Sequence, residues 1–146
     1  GQVVIAGNKP AVERAMALAS EQGAKRVVPL PVSVPSHSSL MKAAAEQLRQ
    51  VLNTVEIKTP SVPVLHNIDA QSRDSADAIR EALAQQLFKP VRWVACVEEL
   101  KARGVETLIE MGPGKVLTGL TRRIDKSLSA QPLFDASGLV KILNLN

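Results

Sequence analysis

Side chains that move protons near neutral pH are scarce in this chain, which has two histidines and one cysteine in 146 residues. His37 lies in Pro31-Val-Ser-Val-Pro-Ser-His37-Ser-Ser-Leu-Met41, a polar, proline-punctuated turn between an apolar run and an amphipathic segment. A histidine at a helix entrance presents its ring nitrogens to a cleft, and imidazole titrates where a general base must. A plain surface-loop histidine is the alternative reading. Gln86 falls three residues after Leu83, four after Ala82 and seven after Ile79, which puts an amide on or beside an apolar helical face. A buried amide with no partner costs about 1–3 kcal/mol, so it needs one. A histidine Nδ1–H is suitable and would leave Nε2 free as a base. A local backbone cap or a wet boundary would also satisfy it.

Other groups carry weaker signals. His66-Asn67 ends an apolar run, and the paired His/Cys spacings of zinc sites are missing, so His66 reads as structural and no metal is expected. Gly112-Pro113-Gly114-Lys115 lacks the residues of a phosphate loop or a dinucleotide fingerprint. What it predicts is a tight strand-to-helix turn whose N–H groups face an anion or a substrate carbonyl. Lys25-Arg26, and Arg122-Arg123 with Lys126, are basic clusters. Each reads either as a solvated face or as a docking patch for an acidic partner or phosphate-rich cofactor. No Gly-x-Ser-x-Gly occurs, so these residues alone do not complete a serine acyltransferase.

The elements that must position these groups follow from periodicity and punctuation. Short buried strands are expected over Gln2–Ala6 and Arg26–Leu30. They flank a helix over Ala11–Gln22 that buries Val12, Ala15, Met16 and Ala19, with Pro10 at its start and Gly23 at its end. After His37, Ser38 or Ser39 caps a helix to about Asn53. Leu40, Met41, Ala44, Ala45, Leu48, Val51 and Leu52 fall on one face, and Lys42 pairs with Glu46 on the other. Val62–His66 is a short interior strand. Helices are expected from Ser75 (Asp74 a candidate cap) to Leu87, from Val91 to Arg103 and from Lys115 to Ile124. A strand covers Val105–Met111, an edge strand Pro132–Phe134, and a last helix Leu139–Leu145. Alternating strands and helices argue an α/β layered fold with a largely parallel sheet. Such folds place active sites at strand ends.

The composition, 45% hydrophobic and 22% charged, is that of a globular chain. One Trp, two Phe and no Tyr leave little for bases to stack on, so nucleic acid is not an expected partner. A single cysteine makes no internal disulfide, and its neighbours Trp93, Val94 and Val97 suggest a buried thiol in a reducing, cytoplasmic compartment. No apolar run reaches the roughly 20 residues of a membrane span.

Three stretches together carry a resemblance. Val34-Pro35-Ser36-His37-Ser-Ser-Leu-Met41, then Gln86-Leu-Phe-Lys-Pro-Val-Arg-Trp93, then Glu110-Met-Gly-Pro-Gly-Lys-Val-Leu-Thr-Gly119 resemble the bacterial malonyl-CoA:acyl-carrier-protein transacylases, as does the opening Gly1–Gly7. The resemblance covers Gly1 to at least Arg123. It implies the C-terminal part of an α/β-hydrolase-like core, residues 33–146, with residues 1–32 finishing an inserted ferredoxin-like subdomain. It implies malonyl transfer from coenzyme A to the phosphopantetheine thiol of acyl carrier protein by a Ser–His ping-pong mechanism. His37 matches the family's base and Gln86 the residue that orients it, through the carbonyl end of its amide or through nearby backbone. Lys25 and Arg26 match a basic pair near the cofactor and carrier-protein entrance. Ser36 leaves room beside the histidine and carries no information on acyl selectivity. No permanently bound cofactor is implied, malonyl-CoA being a substrate.

The serine elbow, an oxyanion glutamine and the malonyl-binding arginine would lie N-terminal to Gly1, so this chain alone is expected to be inactive. The expected partners are therefore acyl carrier protein, malonyl-CoA and the missing N-terminal half. A non-catalytic fragment or carrier-protein-binding module is the alternative from another class. A clipped enzyme whose two pieces stay associated is a third.

Overall fold

Helices close their hydrogen bonds locally, whereas strands need a partner, and that difference decides which expected elements form. The computed structural model describes residues 2–143, so Gly1 and the last two residues of the expected C-terminal helix lie outside it. The described residues divide into two compact units, Gln2–Val91 and the stretch from Arg92 on. The expected division after residue 32 falls within the first.

In the first unit, helix α1 spans Lys9–Glu21, with Pro10 in its first turn. Gly23, at φ +84°, ends it in the left-handed region that glycine tolerates. Val12, Ala15, Met16 and Ala19 share one face as the spacing predicts, but that face is half-buried and not buried as expected. The expected strands on either side, Gln2–Ala6 and Arg26–Leu30, do not form. These segments run as irregular, largely exposed chain, Val3 at 85% exposure and Val28 at 50%. Among the described residues no strand is placed to pair with them, and unpaired backbone gains nothing from a strand conformation.

A turn of 3-10 helix at Ser39–Met41 leads into α2, Lys42–Leu52. Neither Ser38 nor Ser39 caps it through its side chain; the Ser38 hydroxyl donates instead to the Pro35 carbonyl at 2.7 Å. Helix α3 spans Ala76–Gln86, and Ser75 rather than Asp74 is its cap, its hydroxyl accepting from the Ala78 amide at 3.4 Å. Asp74 offers its carbonyl to the Thr59 hydroxyl. Helices α2 and α3 pack antiparallel. Arg80 donates to the Leu52 and Val55 carbonyls, each at 2.8 Å, placing a guanidinium where the C-terminus of α2 needs donors. Arg49 bridges Glu46 and Glu81, so Glu46 takes this partner and not the expected Lys42. Ala45, Ile79, Ala82 and Ala84 are buried.

Between these helices the expected strand Val62–His66 shortens to β1, Leu65–His66, paired antiparallel with β2, Gln71–Ser72. Val62 and Val64 remain exposed. Asp69 holds the connection, accepting from the Gln71 amide and from Arg73 at 2.5 Å.

The second unit is a β-α-β piece with a helix on each side in sequence. Helix α4, Trp93–Ala102, stops at Gly104 (φ +85°). Strand β3, Thr107–Met111, pairs in parallel with β4, Ser129–Leu133, in the register Thr107↔Ser129 to Met111↔Leu133. The crossover is α5, Val116–Ile124, and α6, Ala136–Leu143, packs along β4. Cys96, Val97, Thr121, Leu128 and Ala130 are buried. The fold is mixed α/β, and its longer strand pair is parallel as expected. No helix among the described residues is long and apolar enough to cross a membrane.

Candidate active site

His37 adopts φ +60°, a left-handed conformation that a residue with a Cβ rarely takes. Two hydrogen bonds hold it there. Its backbone N–H donates to the Leu87 carbonyl at 2.8 Å, and its Nδ1 lies 3.3 Å from the Lys89 carbonyl. A carbonyl only accepts, so Nδ1 is the donor in this contact. The ring itself is exposed. The contact orients the ring through Nδ1 and leaves Nε2 as its other nitrogen.

The elements around it explain the placement. The turn enters α2 and the carbonyls leave α3, and the antiparallel pairing of those helices brings the start of one to the end of the other. The last carbonyls of a helix have no partner inside it. Pro90 also disfavours helical geometry at Lys89. Gln86, the residue expected to orient the ring, is the half-buried last residue of α3, and the atom that reaches Nδ1 belongs to Lys89, three positions on. The sequence held a signal for Lys89 only indirectly, in the X-Pro pair that ends the helix.

Lys25 and Arg26 lie on the exposed segment after Gly23 and make no ion pair among the described residues, nor a hydrogen bond to His37. His66 is 4% exposed. Burial holds its pKa below the usual value, the Arg73 charge adds to this, and Asp69 opposes it. It stays a neutral interior group, in keeping with a structural role. Cys96 is buried. Among the described residues no group of three or more His, Cys, Asp or Glu is placed to hold a metal ion.

The Gly112–Lys115 turn departs from expectation. Gly112 and Gly114 adopt φ +142° and +104°, which the sharp strand-to-helix reversal requires. The amides at the start of α5 do not await a ligand. The Glu110 carboxylate accepts from Leu117 N–H at 3.1 Å, Thr118 N–H at 2.7 Å and the Thr118 hydroxyl at 2.8 Å. The anion at this helix start is the protein's own.

No protein-family model matches the chain. It is similar to the malonyl CoA-acyl carrier protein transacylase of Escherichia coli K12, at 53% identity over 145 residues, 99% of this chain and 47% of that protein. The enzyme of the same name from Bacillus subtilis is 47% identical over 92% of this chain and 43% of its own length. Among solved structures, a malonyl-transacylase in complex with a type II PKS acyl-carrier protein superimposes with TM-score 0.93 at 50% identity, over 96% of this chain and 45% of that one. An acyl-carrier-protein S-malonyltransferase from Burkholderia pseudomallei gives 0.91 at 47% identity, over 94% and 45%. The chain thus spans about half the length of the relatives it matches. The resemblance read from its motifs is borne out as similarity to a C-terminal portion of malonyl CoA-acyl carrier protein transacylase.

Proposed function

We propose that this chain is the base-carrying part of a malonyl-CoA:acyl-carrier-protein transacylase and works together with the remainder of a polypeptide of its relatives' length. The observation that carries the reading is the His37 ring, oriented through Nδ1 by the Lys89 carbonyl with Nε2 as its other nitrogen. A serine supplied by the remainder gives its proton to Nε2 and attacks the malonyl thioester carbonyl. The C–S bond breaks, coenzyme A leaves and takes the proton, and the malonyl group stays on the serine. The carrier protein's phosphopantetheine thiol then gives its proton to Nε2 and attacks the ester; the C–O bond breaks as the serine oxygen takes that proton from Nε2, and the malonyl group stays on the thiol. Gln86 supports the end of α3 that presents the Leu87 and Lys89 carbonyls. Lys25 and Arg26 meet the phosphates of coenzyme A and the acidic carrier surface, a role favoured by their exposure and lack of ion pairs. The described complex of a similar transacylase with an acyl-carrier protein supports that partner.

Residues 33–146 are assigned to an α/β-hydrolase-like core and residues 1–32 to a ferredoxin-like insert. No bound metal or prosthetic group enters the chemistry, and the cytoplasm is the expected compartment. The chain alone lacks the nucleophile and is assigned no activity. The full-length protein, given malonyl-CoA and phosphopantetheinylated carrier protein, is expected to form malonyl carrier protein, whereas residues 1–146 alone form none. Absence of transfer by the full-length protein would overturn the reading. The alternative, a non-catalytic carrier-binding module, predicts carrier binding by residues 1–146 that weakens with salt.

A further inference from the structure

The carboxylate at the start of α5 does what a cap residue does elsewhere, but from a distance. Lys115, in the cap position, makes no side-chain cap hydrogen bond. Glu110 lies one residue before the end of β3 and reaches over the turn to three donors on Leu117 and Thr118. Thr118 is 6% exposed, so its hydroxyl and amide have little water to turn to. The same turn is tied on its other side, where the Gly112 amide donates to the Leu133 carbonyl at 3.2 Å. Nothing lies within 4 Å of where a Cβ would stand on Gly112 or Gly114, so the turn borders open space. It also sits where β3 and β4 both end, Met111 opposite Leu133. Ligands of parallel α/β sheets collect at that edge.

We propose that Glu110 is a positioning residue for the transfer reaction: its carboxylate fixes the Gly112–Lys115 turn at the edge where substrate approaches. The proposal rests on the acyl-transfer reading above. With Leu117 and Thr118 already satisfied, the turn acts through its shape and does not bind a phosphate at the helix start. The carboxylate, held below its usual pKa chiefly by the Thr118 amide, stays charged at neutral pH.

The test uses the full-length enzyme with Glu110→Ala and Glu110→Gln, reading kcat, melting temperature and amide exchange at Leu117 and Thr118. Glu110→Ala should lower kcat by about 100-fold, the scale of an ångström-size misplacement. Formate, added at constant ionic strength, should restore kcat saturably by taking the vacated carboxylate position, and chloride should not. Glu110→Gln should lose less, exchange faster at Thr118 and ignore formate. Parental kcat in Glu110→Ala overturns the proposal, as does a loss that formate leaves unmoved. If Glu110→Ala does not fold, parental kcat and exchange in Glu110→Gln overturn it instead. His37→Ala is the control: transfer that survives that change refutes the acyl-transfer reading itself, whatever Glu110 does.

Discussion

A histidine forced into a left-handed conformation is costly unless its surroundings fix it, and two carbonyls following α3 do so. His37 was legible in the sequence because its chemistry resides in its own side chain. That backbone near Gln86 orients it was among the expected contacts, but Lys89 itself was not legible, because every residue has a carbonyl. Pro90 is where that contact can be disturbed without touching the ring. Pro90→Ala in the full-length enzyme lets Lys89 rejoin the helix and should slow malonyl transfer by about 10-fold, through misplacement of the base. An unchanged kcat would count against a role for the carbonyl. The basic pair makes a different prediction. Reversing Lys25 and Arg26 to Glu should raise KM for carrier protein several-fold at low salt, with the gap closing as salt rises. A salt-independent KM difference, or none, would remove them from the docking surface.

Among the elements, the helices were legible and the strands only in part. Helix α1 has its expected apolar face, and Gly23 and Gly104 stop chains where their types predict. The Gln2–Ala6 and Arg26–Leu30 segments have strand-like composition, but a strand is a property of two segments, and one sequence window contains only one of them. Ionic contacts set the ends of several elements. Lys101 of α4 and the Ser127 hydroxyl hold Asp125 just past α5. The hydrogen bond from Lys101 is the main cause that lowers the Asp125 pKa from 3.8 to about 2. A carboxylate depressed on folding stabilises above its unfolded value, and that contribution is lost as pH falls from 3.8 through about 2. Acid titration of the folded protein by NMR should find this low value, and Lys101→Met should raise it. An Asp125 that titrates near 3.8 would contradict the assignment.

At the scale of the whole chain, surface and core are out of proportion. The accessible area is 10571 Å² for 15.6 kDa. A folded monomer of that mass exposes about 7,300 Å², well below this area. Val97 and Thr121 are the largest fully buried side chains, while Val3, Val62, Met111 and Val116 each expose more than 65% of their surface. Residues 1–146 alone should therefore aggregate or bind a hydrophobic dye, and co-expression with the remaining half should yield a soluble complex. A monodisperse monomer with a cooperative melt and no dye binding would contradict this. The central claim, that His37 is the base, meets its most direct test in the rate of malonyl transfer from coenzyme A to carrier protein by full-length His37→Ala with an unaltered melting temperature. The account predicts a loss on the order of 10⁶-fold, as for a serine enzyme deprived of its base. Turnover within about tenfold of the parent would contradict it.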